Sequence, residues 1–370
     1  MTDSWHLRIE PPMNAGPGRE LSGTHTIERV RQASVAAEGE GLIVGSFVSP
    51  LMCDTHTHGR LGHAVTDSLD TLRELVAVNR AGGLGRSQLS TVTLSIPDIH
   101  ATLAAARELM SSEESVIGFH LEGPFLSPEK RGAHSHELLL RGSLETVQEL
   151  VSDYLDVVSA ITLDPLAVES GVIEWLVDQG VVVAVGHTTA TFDEALAAFT
   201  AGASVLTHAF NAMRPISSRE PGPVMAALEA GVWIEVIADG HHVHPSLVKF
   251  LGDSAPERLL LVTDSMPAAG LGDGSYELGS LSVSVVDGVA RTTEGSLAGS
   301  TLSLDAAVAH SVRAGVSPEV ALAAATTNPL KAYGQSVPTI SEGQPANLLV
   351  WSEDLRITHM IRDGQLTAWA

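Results

Sequence analysis

One cysteine in 370 residues, Cys53, excludes an internal disulfide framework and a thiolate metal cluster. Any metal centre in this chain must therefore be built from histidine and carboxylate. Cations are scarce as well: 21 Lys and Arg against 44 Asp and Glu leave a formal charge of −23. That balance argues against general affinity for nucleic acid or for an anionic membrane surface. An anionic ligand needs a local exception to that field. Aromatic residues amount to 4%, and Ala, Val, Leu and Gly dominate instead, as suits parallel β/α architectures. No apolar run approaches the roughly 20 residues that span a bilayer. Residues 1–10 lack the basic segment and apolar core of a secretory leader. The expectation is a soluble cytoplasmic protein, long enough for one large domain plus a small one.

What the chain does have is a repeated pattern of short apolar run, polar turn and amphipathic stretch. Strands are expected at 51–58, 88–96, 116–122, 157–163, 181–187, 204–208, 232–239 and 259–264, alternating mostly with helices. Eight such units predict a (β/α)8 TIM-type barrel. A doubly wound open sheet is the alternative, but no glycine-rich phosphate loop follows the first strand. The pattern changes over 272–295, where 276–286 alternates and Asp287-Gly288 signals a hairpin turn before 289–292. Helical periodicity returns at 301–314 and 317–326, and strands at 348–351 and 357–361 end in Asp363-Gly364. At the other end Pro11, Pro12, Gly16, Pro17 and Gly18 break any long element, leaving short strands near 5–9 and 26–30. The predicted division is a barrel over 51–337 and a small β-sandwich-like domain built from 1–50 and 338–370.

In a β/α barrel, catalytic groups sit where strands end and the following loops begin. That edge carries His56 and His58 on strand one, and His120 and Glu122 on strand three. His187 ends strand five and His208 strand six. Asp239 ends strand seven, followed by His241, His242 and His244, and Asp264 ends strand eight. One core histidine is unremarkable, but histidines at the ends of five strands are poorly explained by chance placement of 16. His56 and His58, one residue apart on an extended segment, point the same way. Glu122, His187 and His208 form one candidate metal cluster, with His56 and His58 as a possible second. Imidazole and carboxylate with an open position describe a catalytic rather than a structural zinc-type site. Asp264 is then a candidate base toward metal-activated water, although an aspartate there also suits a helix cap.

Longer motifs carry a resemblance. His120-Leu121-Glu122-Gly123-Pro124-Phe125, Lys130-Arg131-Gly132-Ala133-His134 and Gly186-His187-Thr188 resemble the amidohydrolase superfamily. So do Thr207-His208-Ala209-Phe210-Asn211-Ala212-Met213, Asp239-Gly240-His241-His242 and Val262-Thr263-Asp264-Ser265-Met266. With Leu297-Ala298-Gly299-Ser300 and Thr327-Asn328-Pro329, the pattern is similar to the family of N-acetylglucosamine-6-phosphate deacetylases. The resemblance runs from about Leu51 to the C-terminus. It implies hydrolysis of the acetamide of an N-acetylated amino-sugar phosphate in amino-sugar catabolism and cell-wall recycling. Glu122, His187 and His208 hold the principal metal in that reading, Asp264 is the general acid/base, and His134 polarises the carbonyl. Asn211, Ala212, Arg219, Asp239 and His242 receive the sugar phosphate, while Ala133, Leu297, Ala298, Gly299 and Ser300 line the sugar.

The resemblance further implies a homodimer in which Arg219 reaches the neighbouring site. Zinc is the first choice of metal, with iron, manganese, cobalt or cadmium as alternatives. Because both His56 and His58 are present, two ions are expected. On its own, Arg219 reads equally as a loop cation paired with Glu220, and Lys130 and Arg131 read as ordinary loop charges. The chain departs from the family pattern at Gly59-Arg60-Leu61-Gly62-His63, where a glycine-rich stretch is usual, and in its short N-terminal segment, which predicts a reduced small domain. Alternative readings are the galactosamine epimer or another N-acyl substrate. A non-catalytic sugar-phosphate-binding barrel is the reading from another class.

Overall fold

The computed structural model describes residues 4–10, 19–32, 42–66 and 68–369. The five N-terminal Pro and Gly residues singled out above lie outside them. Eight parallel strands form one sheet in strict chain order: Met52–Thr57, Leu84–Thr91, Val116–Glu122, Val158–Leu163, Val182–Val185, Val205–Leu206, Trp233–Val236 and Leu259–Leu261. Strands covered on both faces become continuous apolar runs, and Val182–Val185 and Leu259–Leu261 contain no polar residue. The first and last strands meet through the Asp264 amide, which donates to the His56 carbonyl at 2.8 Å, and the His58 amide, which donates to Ser265 at 2.8 Å. That seam closes the sheet into the expected barrel, and it does so at the edge carrying the histidines.

Helices between the strands start where serine or threonine can accept an orphan amide. Ser68, Ser95, Ser143 and Ser317 each do so, and Thr191 with Glu194 forms a full capping box. Ser95 also explains one displaced boundary. The second strand was expected at 88–96, but Ser95 caps a helix spanning Ile96–Met110, so the strand ends at Thr91 and begins earlier, at Leu84. Among the described residues no helix is long and apolar enough to cross a membrane.

Two four-stranded sheets are built from the chain ends. One pairs Ile27–Gln32, Arg19–Gly23, Trp5–Ile9 and Leu42–Gly45; the other pairs Gln365–Ala368, Ile357–Arg362, Leu348–Trp351 and Phe47–Pro50. Trp5, Leu7, Leu21 and Ile27 share a buried core with Leu348, Val350 and Ile361, so residues more than 300 positions apart close one unit. Among the described residues the N-terminal part holds five strands. The excursion after the last barrel strand is a three-stranded sheet, Gly274–Leu278, Leu281–Val286 and Val289–Thr292. The single strand expected over 276–286 is instead a hairpin, because Gly279 adopts φ +56° and turns the chain.

Candidate metal centre and active site

The end of the barrel gathers the predicted ligands into one buried cluster. Glu122 Oε1 stands 3.1 Å from both His187 Nε2 and His208 Nε2, and those two nitrogens are 3.0 Å apart. Beside them, His58 Nε2 is 3.2 Å from Glu122 Oε2 and 3.1 Å from Asp264 Oδ1. His56 Nε2 is 3.5 Å from Glu122 Oε1 and 3.7 Å from Asp264 Oδ1. The geometry thus separates into two triads able to hold a cation: Glu122, His187, His208 and His56, His58, Asp264. Glu122 lies against both.

Hydrogen bonds on the far side of three of the four rings decide what the near side offers; His208 Nδ1 has no partner. His187 Nδ1 donates to the Lys130 carbonyl at 2.8 Å, His58 Nδ1 to the Ser90 carbonyl at 3.0 Å, and His56 Nδ1 to Glu235 Oε2 at 3.1 Å. When these rings are neutral, the proton stays on Nδ1 and the Nε2 lone pairs turn toward one another and toward carboxylate oxygens. The buried His56 Nε2 has no hydrogen-bond partner. A proton satisfies one such contact, whereas a cation satisfies a whole triad. The donor set, neutral nitrogen and carboxylate oxygen without sulfur, therefore fits a divalent metal.

Electrostatics follow the same arrangement. Burial opposes ionisation of Glu122, but the facing imidazoles, His56 and His134 foremost, hold its carboxyl well below the ordinary range. Burial likewise works against Asp264, yet the hydrogen bond from His58 and the neighbouring His56 bring it down to about 2. For His58, burial disfavours the charged form, and hydrogen bonds to Asp264 and Glu122 outweigh it, carrying the ring up to about 9. His134 goes the other way: burial, only partly offset by Glu122, lowers it to about 4. The Thr93 amide donates to His134 Nδ1 at 3.2 Å, which fixes the proton on Nε2, 3.3 Å from Glu122 Oε2. His134 thus presents a neutral N–H donor to the cluster.

These positions are bought with backbone strain. His187, His208, Phe210, Ala212 and Asp264 all adopt positive φ, at 47°, 26°, 74°, 49° and 48°, a conformation that is uncommon outside glycine. The sixth strand, Val205–Leu206, ends two residues before His208. Gly299, at φ +57°, lets a neighbouring loop approach: a Cβ there would sit 2.9 Å from the Asp264 carbonyl.

A cavity of about 300 Å³ opens over the cluster, lined by His58, Glu122, His134, His187, His208 and Asp264. Ala133, Asn211, Ala212, His242, Leu297 and Gly299 also line it. Other predicted residues stand back. Asp239 accepts the His241 and His242 amides at 2.8 Å and His242 Nδ1 at 2.7 Å, so it shapes the loop that aims His242 rather than facing the cavity. Ala298 is packed under the excursion sheet, and Ser300 donates to the Thr263 carbonyl at 2.6 Å. Arg219 is exposed and absent from the wall. Nor does it pair with Glu220, whose carboxylate accepts the Phe192 and Gly222 amides at 2.7 and 3.1 Å.

Two residues read as unimportant, or passed over, belong here. Lys130 lines the cavity, which corrects its reading as an ordinary loop charge; Arg131 fits that reading, paired with Glu294 at 2.8 Å. Glu235 is buried in the seventh strand and reaches His56 from below. Its only sequence signal is a single acid between Ile234 and Val236 in an apolar run.

Comparison with known proteins places these features in context. The amidohydrolase family model matches residues 47–367. An N-acetylgalactosamine-6-phosphate deacetylase of Escherichia coli O157:H7 is 36% identical over 334 residues, covering 87% of this chain and 88% of its own length. The N-acetylglucosamine-6-phosphate deacetylase of Homo sapiens is 33% identical over 342 residues, covering 87% of this chain and 83% of its own. Among solved structures, a variant of the N-acetyl-D-glucosamine-6-phosphate deacetylase of Mycobacterium smegmatis, in complex with N-acetyl-D-glucosamine-6-phosphate, is similar with a TM-score of 0.88. It is 33% identical, with 98% of this chain and 99% of that chain covered.

Proposed function

The chain belongs to the amidohydrolase family, and from that premise we propose that it hydrolyses the acetamide of N-acetylglucosamine 6-phosphate to acetate and glucosamine 6-phosphate. The observation that carries the proposal is the convergence of Glu122, His187, His208, His134 and Asp264 on one cavity, a set that a mere sugar-phosphate binder does not need. Glu122, His187 and His208 would hold one divalent cation and His56, His58 and Asp264 a second; bound there, such an ion would supply Lewis acidity and lower the pKa of water toward about 7. Zinc is the ion we favour.

The protein's own groups perform the remaining tasks. Asp264 is ionised at neutral pH, so it accepts the proton of the attacking water and returns it to the departing nitrogen. His134 donates Nε2–H to the carbonyl oxygen as negative charge develops there. Asn211, Ala212 and His242 hold the sugar phosphate, with Lys130 adding the positive charge that the chain as a whole lacks. Arg219, which does not enter the cavity of its own chain, is assigned to the phosphate of a neighbouring subunit in a homodimer, where a guanidinium can bind bidentately.

A second reading, hydrolysis of the galactosamine epimer, is favoured by the Escherichia coli relative at 36% identity. Acetate release by metal-loaded protein, measured on the 6-phosphates of both N-acetylated hexosamines and on the free sugars, tests the assignment. The expected result is fastest turnover of the gluco 6-phosphate. Preference for the galacto epimer transfers the proposal to that substrate, and no acetate from either overturns it.

A further inference from the structure

The buried carboxylate of Glu235 has no place in the chemistry above, yet one of its oxygens touches both triads. Oε2 accepts Nδ1–H of His56 at 3.1 Å and lies 3.3 Å from the amide of His208. The Glu235 carbonyl accepts the Ala209 amide at 2.8 Å, so the strand is locked to the segment that carries His208. We infer that Glu235 is a positioning residue. By holding the proton of His56 on Nδ1 it keeps the Nε2 lone pair facing Asp264 and Glu122, and so makes the His56, His58, Asp264 triad able to hold a second cation.

Three observations support the assignment. His56 is completely buried, so no solvent can replace Glu235 as the acceptor of its Nδ1 proton. Its Nε2 has no hydrogen-bond partner, as expected of an atom kept for a ligand. Of the other ligand rings, His58 and His187 use backbone carbonyls for the same purpose, those of Ser90 and Lys130, and His208 Nδ1 has no partner, which leaves His56 alone with a charged acceptor. A carboxylate behind an imidazole fixes its tautomer and raises its basicity, and removing such a partner typically costs about 10–100-fold in metal affinity.

The inference rests on the two-cation reading, and the experiment separates the two. Metal-free full-length protein is titrated with Zn²⁺ against a competing chelator, which reads both affinities without substrate. Wild type is expected to bind two ions per chain. Glu235→Leu removes the acceptor of the His56 Nδ1 proton, so the weaker site should lose roughly tenfold or more, while the tighter site, whose ligand atoms Glu235 does not touch, should stay within about twofold. Glu235→Gln, whose amide oxygen can accept at the same place, should recover most of that loss. In a His56→Asn background Glu235→Leu should have no further effect on binding. Equal weakening of both sites, accompanied by a lower melting temperature of the metal-free protein, reduces Glu235 to a structural role and overturns the inference. Unchanged affinities overturn it as well. One ion per wild-type chain removes the two-cation reading beneath it.

Discussion

Replacing Asp264 by asparagine is the most direct test of the chemistry, because the structure separates the loss of a base from the loss of a fold. The residue holds φ 48°, a conformation that asparagine tolerates better than most side chains. Its backbone bonds, to the His56 carbonyl at 2.8 Å and from the Ser300 amide at 2.7 Å, do not involve the carboxylate. The variant should therefore keep the barrel seam. What disappears is a carboxylate that is ionised at neutral pH, while the asparagine oxygen left in its place can still complete the His56, His58 triad. General-base catalysis contributes about 10²–10⁴-fold, or about 3–5 kcal/mol at 1.36 kcal/mol per decade. The expected result in an acetate-release assay is a kcat lower by two to four decades. KM should change only a few-fold, since Asp264 acts on water rather than on the sugar. A kcat within about tenfold of wild type, with cation content unchanged, would refute the assignment.

His134→Gln should lower kcat by roughly 10²–10³ with a small change in KM, as expected for losing a donor to a developing oxyanion, and the same assay reads it. Cation uptake should be proton-linked. The folded value of His58, about 9, lies above its ordinary one, so its stabilising contribution to the metal-free fold is full below about pH 6.5 and lost as pH rises through about 9. Zn²⁺ binding at pH 7.5 must then expel protons, which indicator dye or calorimetry in buffers of different ionisation enthalpy will register. If Arg219 serves a neighbouring site, Arg219→Ala and Asp264→Asn proteins, each nearly inactive, should regain activity when refolded together. Absence of any recovery from verified mixed dimers places Arg219 outside the site.

The barrel was legible because most of its strands are buried on both faces and appear as apolar runs, several of them followed by a ligand-type residue; Met52–Thr57 and Leu84–Thr91 carry more polar residues. All eight strands occur where those runs lie. Boundaries moved where side-chain capping or glycine geometry intervened, as at Ser95 and Gly279, effects too local for an apolar pattern to reveal. At the N-terminus the strands near 5–9 and 26–30 were legible, whereas Arg19–Gly23 between them was not; their core lies far off in sequence, with Trp5 and Ile27 packing among residues 346–361. In the site, the Glu122, His187, His208 cluster and the His56–His58 pair could be read from a ring of histidines at one edge, but not that Asp264 joins the pair as a third possible ligand. Glu235 could not, since whether a strand residue faces the barrel interior or the helices depends on register. Lys130 was passed over for a related reason: its loop folds back across the cavity mouth, and charge alone does not show that.

The closing seam of the barrel has a consequence for how the molecule assembles. Thr57 and Ser265 pair their hydroxyls at 2.9 Å although 208 residues separate them, and the second triad is divided between the two sides of that junction. The triad is therefore a clasp. It comes into being only when the last strand docks on the first, the contact of longest loop closure in the barrel. Cation bound there fastens the cylinder shut, so its removal should be felt first as faster amide exchange at His58, Asp264 and Ser300. The remaining strands, zipped to neighbours close in sequence, should keep their protection.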